Sequence, residues 1–192
     1  MTKLENDMCS VQIAIEESFE TDKNFSSRYD YIINPHSYPQ DDDYKAYAIH
    51  VRLKDQTYSA ALIGDYNCWD ENCAVIEGNI LTILQGWEIT QLDVISAKVM
   101  RTAEIDSICP NVELHRVETG YLVYGEFDIT MLNDRLEKLW SFSGHDVFAS
   151  STNKPAFEIR EDRICLYDFV GNYYELDFQG NVIIMRKAGA IS

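Results

Sequence analysis

Ile80-Leu81-Thr82-Ile83-Leu84-Gln85-Gly86-Trp87-Glu88-Ile89-Thr90-Gln91-Leu92-Asp93 and Gly120-Tyr121-Leu122-Val123-Tyr124-Gly125-Glu126-Phe127-Asp128-Ile129-Thr130-Met131-Leu132-Asn133 carry one pattern twice, at an offset of 40. Each is an apolar strand, a glycine-containing turn with an aromatic residue, a second apolar strand and a Leu-Asp or Leu-Asn ending. Ile-Thr-x-Leu-Asp/Asn recurs outright. A further offset of 44 brings in Ile164 to Asp177, with the same strand, turn, aromatic and Leu-Asp ending. Trp87, Phe127 and Tyr173, near register under these offsets, are expected at equivalent positions of successive hairpins, with Tyr173 displaced by one toward Tyr174. A period near 40 residues is the mark of a fold assembled from one repeated supersecondary unit.

Outside the repeat the pattern is of the same kind. From Tyr44 onward short apolar stretches alternate side chains at every second position, the period of a strand with one buried face. Ala46-Ala48-His50-Arg52 set against Tyr47-Ile49-Val51-Leu53 is the clearest case. After each repeat comes another apolar strand, at Lys98-Val99, Lys138-Leu139 and Val182-Ile183. Residues 1–44 differ. They hold ten acidic residues, Pro35, Pro39 and the run Asp41-Asp42-Asp43, so an irregular or edge-strand segment is expected there. Within it Val11, Ile13 and Ile15 alternate, and Tyr29 to Ile33 is aromatic and β-branched, so both stretches read as strands that pair with the main sheet. At 192 residues the chain is read as one all-β domain, 1–192, with the repeat region at 79–186, long enough to bury about 70 % of its unfolded surface.

The repeat resembles the blades of β-propeller-type proteins, most clearly over Asp168 to Val182, where strand, turn, Tyr-x-Leu-Asp and turn follow one another. The segment Trp140-Ser141-Phe142-Ser143-Gly144-His145-Asp146-Val147-Phe148 resembles small acidic uncharacterised bacterial all-β proteins. The first resemblance implies an antiparallel meander of short strands in about three blade-like repeats, a small or incomplete propeller. The same hairpins could also roll into a β-sandwich or an open barrel.

Charge narrows the function classes. Sixteen Lys and Arg stand against 32 Asp and Glu, a net charge of -16. Such a surface repels phosphate backbones and anionic lipid, so nucleic acid and membranes are poor partners and a basic protein is a good one. The N-terminal stretch lacks the apolar run of a signal peptide or membrane span, which points to the cytoplasm. Cys9, Cys68, Cys73, Cys109 and Cys165 are odd in number and scattered, as in a protein with reduced thiols. Cys165, between Ile164 and Leu166, reads as core.

Sites for chemistry are sparse. Cys68 and Cys73 lack a second Cys/His pair for zinc, His36, His50, His115 and His145 have no metal-pair spacing, and the 65–76 stretch departs from a calcium loop at two ligand positions, Trp69 and Ile76, and at Asp70 in place of the turn glycine. No phosphate-binding glycine motif is present. Neither a metal nor a cofactor is expected. Ser143, His145 and Asp146 are sequence neighbours, whereas the members of a catalytic triad converge from distant segments. Asp65, Tyr66, Trp69, Asp70 and Glu71 combine carboxylates with aromatics in a loop and are the candidate partner-binding residues; the bland alternative folds Trp69 back on a sheet edge. Function is thus read as a non-catalytic protein-binding module, of immunity or antitoxin type, that captures a basic partner. The alternative is a small-ligand-binding protein or hydrolase with its site in the mouth of the β fold. The oligomeric state is left open.

Overall fold

A computed structural model describes residues 1–16, 19, 23–39, 44–64, 72–149 and 155–189. Among them the regular elements are all strands apart from one 3-10 turn at Phe25–Arg28. Strands β1 (Thr2–Glu5), β2 (Cys9–Glu16), β3 (Tyr31–Ile33), β4 (Lys45–Leu53) and β5 (Thr57–Gly64) form a sheet in the order β1-β2-β4-β5-β3. Three four-stranded meanders follow in strict sequence order. They are β6 (Ala74–Glu77), β7 (Ile80–Gln85), β8 (Glu88–Asp93), β9 (Lys98–Glu104); β10 (Asn111–Val117), β11 (Gly120–Gly125), β12 (Asp128–Leu132), β13 (Lys138–Ser143); and β14 (Phe157–Arg160), β15 (Arg163–Tyr167), β16 (Tyr173–Leu176), β17 (Val182–Arg186). The strands stay in separate sheets of four or five, and none of these closes into a barrel. Blades, not a rolled meander, are what the hairpins build.

The segment before Tyr44 supplies both edges of the first sheet, β1 and β3, and also an interior strand, β2, which pairs with β4 over its whole length. Edge strand β3 runs parallel to β5, with Tyr31 opposite Ala60 and Ile33 opposite Leu62. The connection from β2 to β3 passes through Phe25, whose ring meets Phe19 edge-on at 4.9 Å between centroids. Phe19, Phe25, Ala46, Ala61 and Ile63 form a buried cluster, joined by Tyr29, Tyr38 and Tyr44.

The Leu-Asp/Asn ending of the repeat has a single structural meaning. In β8, β12 and β16 the register slips just before the leucine, between Gln91 and Leu92, Met131 and Leu132, and Glu175 and Leu176. Each leucine then turns inward and is almost wholly buried. The next residue caps the turn to the outer strand. Asp93 Oδ1 accepts from the backbone N–H of Ile95 and Ser96, Asn133 Oδ1 from Arg135 and Glu137, and Asp177 Oδ1 from Gln179 and Asn181. Side-chain capping of this kind is why Asp and Asn favour turns. Each of the three turns also holds one residue in the left-handed region, Ala97 (φ 55°), Leu136 (φ 63°) or Gly180 (φ 84°); glycine at 180 is further required because a Cβ there would lie 2.7 Å from the Trp140 ring.

One expected equivalence fails. Trp87 and Phe127 each sit two residues before the Ile of their strand, inside the Leu84–Ile89 and Tyr124–Ile129 pairs, but Tyr173 pairs with Tyr167 and so occupies the place of Ile89 and Ile129. The third hairpin carries one more residue in its turn. Asp168 holds that longer turn closed, accepting from Asn172 N at 2.7 Å, Asn172 Nδ2 at 2.8 Å and the Tyr174 hydroxyl at 2.9 Å.

By compactness the chain divides into two units, Met1–Asp106 with Val112–His115, and Ser107–Asn111 with Arg116–Ser192. In the first, side chains tie the two sheets together: Tyr47 OH donates to Leu84 O, Tyr58 OH to Val94 O and Asn6 Nδ2 to Gly78 O. In the second, Tyr124 OH donates to Phe148 O, the Trp140 indole N–H to Phe178 O, and the Phe142, Phe148 and Tyr174 rings pack together.

Candidate functional site

The candidate residues Asp65, Tyr66, Trp69, Asp70 and Glu71 lie outside the described residues, as does Cys68. Ser143, His145 and Asp146 are described, and among the described residues no hydrogen bond joins the three side chains to one another. The Ser143 hydroxyl donates to Asp128 Oδ1, His145 gives its backbone N–H to the Tyr174 hydroxyl, and Asp146 Oδ1 accepts from Val147 N. They form a stapled turn. Cys165 is buried, as read from its apolar neighbours. The Tyr173 hydroxyl reaches Cys165 Sγ (3.4 Å) and Glu175 Oε1 (2.6 Å), and Arg163 Nη1 donates to Glu175 Oε2 at 2.7 Å. Burial, then the hydrogen bonds to Cys165 and Glu175, push the Tyr173 phenol well above its ordinary value. Hydrogen bonds from Tyr173 and Arg163 hold the Glu175 carboxyl below its own. This network is closed on itself.

An open site does exist in the first unit. Four tight turns, from two sheets, converge on a cleft of about 300 Å³, at the small end of the range for ligand sites. Met8 comes from the β1–β2 turn, Leu53 to Gln56 from the β4–β5 turn, Asn79 from the β6–β7 turn, and Val94 and Ile95 from the β8–β9 turn. Val94 is 2 % exposed, while Met8 is 48 % and Ile95 51 % exposed. Lys54, Asp55, Gln56 and Asn79 supply the polar rim.

Every one of these turns is pinned. Asn6 Oδ1 accepts from Met8 N and Cys9 N. Leu53 N donates to Gln56 O and Val94 N to Asn79 O. Asp93 holds the amides of Ile95 and Ser96, as above. Partial burial raises the Asp93 carboxyl, but the amides of Ser96 and Ile95 and the Asn79 side chain outweigh it and hold the group below its ordinary value. Because that value is lower folded than unfolded, the carboxylate's contribution is complete above the unfolded value and disappears as pH falls through the folded one. Asp93→Ala is therefore expected to cost about 1 to 2 kcal/mol near neutral pH, with the difference from wild type shrinking in acid. Asp93→Asn, which keeps the acceptor as Asn133 does in its own turn, should lose little at neutral pH. Urea titrations at neutral and acid pH check both.

Sequence reading did not assemble this cleft. Met8 and Ile95 lie 87 residues apart, and only the pairing of the two sheets brings their turns together. The one signal available was the placing of a large apolar side chain in a polar turn, at Asn6-Asp7-Met8 and again at Asp93-Val94-Ile95-Ser96. A second, broader cleft in the other unit is lined by Val117, Glu118, Ile159 to Asp162, Phe178 and Gln179. It too lies among hairpin turns, and Arg160 beside it is paired with Glu158 at 2.9 Å.

Charge is distributed unevenly. The first unit contains 20 acidic and 8 basic residues, net -12, and the second 12 and 8, net -4.

No family model matches the chain, and no curated protein matches it. Among solved structures, the computationally designed Ika8 protein superposes with a TM-score of 0.51 at 10 % identity, over 96 % of this chain and 60 % of that one. BamB from Moraxella catarrhalis gives 0.46 at 16 % identity, over 76 % and 46 %, and Hsv2 from Kluyveromyces marxianus 0.45 at 11 %, over 81 % and 47 %. The chain thus spans about half the length of the structures it matches. BamB and Hsv2 are β-propeller-type proteins; the likeness to Ika8 is one of fold alone, and the sheet order of this chain is itself an all-β, propeller-like series of short sheets.

Proposed function

We propose that the protein is a non-catalytic interaction module that captures a basic protein partner through its first unit. The observation that carries this reading is the concentration of net charge, -12 on that unit against -4 on the other. A strongly acidic surface accelerates association with a cationic partner and makes it salt-sensitive. Within the reading, the finer role is that of an immunity or antitoxin-like protein of the cytoplasm that blocks a cationic toxin. Asp65, Tyr66, Trp69, Asp70 and Glu71, by sequence part of the same unit, are proposed as further contacts, the carboxylates for attraction and the aromatics for buried area. Among the described residues no helix is long and apolar enough to cross a membrane.

Affinity capture from the native lysate at low and high salt tests the reading. A retained protein of basic isoelectric point that is released as salt rises is the expected result; retention of acidic or neutral proteins only, indifferent to salt, contradicts it. A second reading, favoured by the cleft of the first unit, is a small apolar ligand held there.

A further inference from the structure

We infer that the cleft of the first unit is a socket for one apolar side chain carried on a basic segment of the partner. This rests on the capture of a basic partner proposed above and names where its anchor sits. The first ground is that Met8 and Ile95 are held in water by design of the backbone. Their turns are fixed by Asn6, Asp93 and the Val94–Asn79 bond, so neither side chain is exposed because its loop is loose. A rigid apolar surface spares the ordering cost that a flexible one must meet on binding. Buried Val94 backs the cleft between them, and the Tyr58 hydroxyl fixes its carbonyl at 2.6 Å.

The second ground is charge complementarity. Asp55 lines the rim, and exposed Asp7 and Glu77 flank the lining residues Met8 and Asn79 in sequence; the lining itself offers one cation, Lys54. An apolar floor in an acidic surround matches a leucine-sized group flanked by lysine or arginine. A second copy of the chain would bring another net -12 against it, and an acidic segment would meet the same repulsion.

The test uses the full-length protein labelled with 15N and three probes: the capped peptide Lys-Lys-Leu-Lys-Lys, the capped peptide Glu-Glu-Leu-Glu-Glu, and N-acetyl-leucinamide. The lysine peptide is expected to shift the amides of Met8, Gln56, Asn79 and Ile95 saturably, and the glutamate peptide to leave them in place. The Met8→Ser, Ile95→Ser double variant, whose two changes fall on half-exposed side chains, should weaken that binding about tenfold with an unchanged Tm. Saturable shifts confined to other parts of the first unit would overturn the socket and leave the acidic-capture reading standing. Equal shifts from both peptides, or from N-acetyl-leucinamide at the same concentration, would overturn the basic segment and favour the small-ligand reading. Absence of any shift from the lysine peptide would remove both socket and basic capture.

Discussion

Asp168→Ala is expected to lower stability by about 3 to 4 kcal/mol, since it strips the acceptor from three donors that have no access to water. Asp168 is 1 % exposed, and Asn172 and Tyr174 around it are also buried. Its two oxygens receive Asn172 N, Asn172 Nδ2 and the Tyr174 hydroxyl. The Tyr174 hydroxyl in turn accepts His145 N at 3.0 Å, and Asn172 Oδ1 accepts Ala188 N at 2.9 Å. One carboxylate thus organises the longer third hairpin turn and, through two further bonds, the segment after β13 and the chain beyond β17. Tyr174→Phe removes one donor to Asp168 and leaves His145 N without its acceptor, so about 1 to 1.5 kcal/mol is expected. Equilibrium denaturation followed by far-UV circular dichroism measures both. A loss below about 1 kcal/mol for Asp168→Ala would show that the carboxylate does not hold the turn.

Gly120→Ala is the second large effect, expected to exceed about 3 kcal/mol. Gly120 opens β11 at φ +145°, a conformation rarely open to other residues, and an added Cβ would stand 2.0 Å from the carbonyl oxygen of Leu132 and 3.0 Å from Asn133 Cα. Both neighbours are backbone, fixed by the β11–β12 ladder, so neither a rotamer change nor a small shift relieves the clash. Gly78, in the corresponding turn of the preceding sheet, makes the control. Its φ is +55° and the nearest atom to a Cβ there is Met8 Sδ at 4.0 Å, leaving backbone strain alone, about 1 kcal/mol. The difference between the two Gly→Ala variants in a urea titration isolates the steric contribution. Equal losses would mean that β11 and β12 can separate at Gly120.

The recurring Leu-Asp/Asn was legible because it encodes something local. The leucine follows a bulge and the Asx side chain caps the next turn, and both acts depend on residues within a few positions. Tyr173 was misplaced because its ring matches Trp87 and Phe127 by type, although the offset of 44 itself sets Ile129 against Tyr173 and Phe127 against Gly171. What closes the longer third turn is buried Asp168, whose role depends on Tyr174 and Asn172 facing it. The parallel pairing of β3 with β5 was likewise beyond the sequence. The aromatic and β-branched composition of Tyr29 to Ile33 marks a strand without giving its direction, which emerges only in the folded sheet, where Phe19 and Phe25 cluster with Ala46, Ala61 and Ile63. The cleft was hidden most completely. Met8, Gln56, Asn79 and Ile95 belong to four different hairpin turns, none with a motif of its own, and only their convergence makes a site.

The proposed capture of a basic protein rests on long-range attraction by the first unit. Its most direct test compares two variants that lose the same number of exposed carboxylates: Asp7→Asn, Asp55→Asn, Glu77→Gln in the first unit, and Glu118→Gln, Glu126→Gln, Glu161→Gln in the second. The measurement is the association rate of each with the captured partner as a function of salt. Slower association and a flatter salt dependence are expected for the first-unit variant, with the second-unit variant close to wild type. Equal effects from the two variants, or a larger effect from the second-unit one, would contradict the proposal.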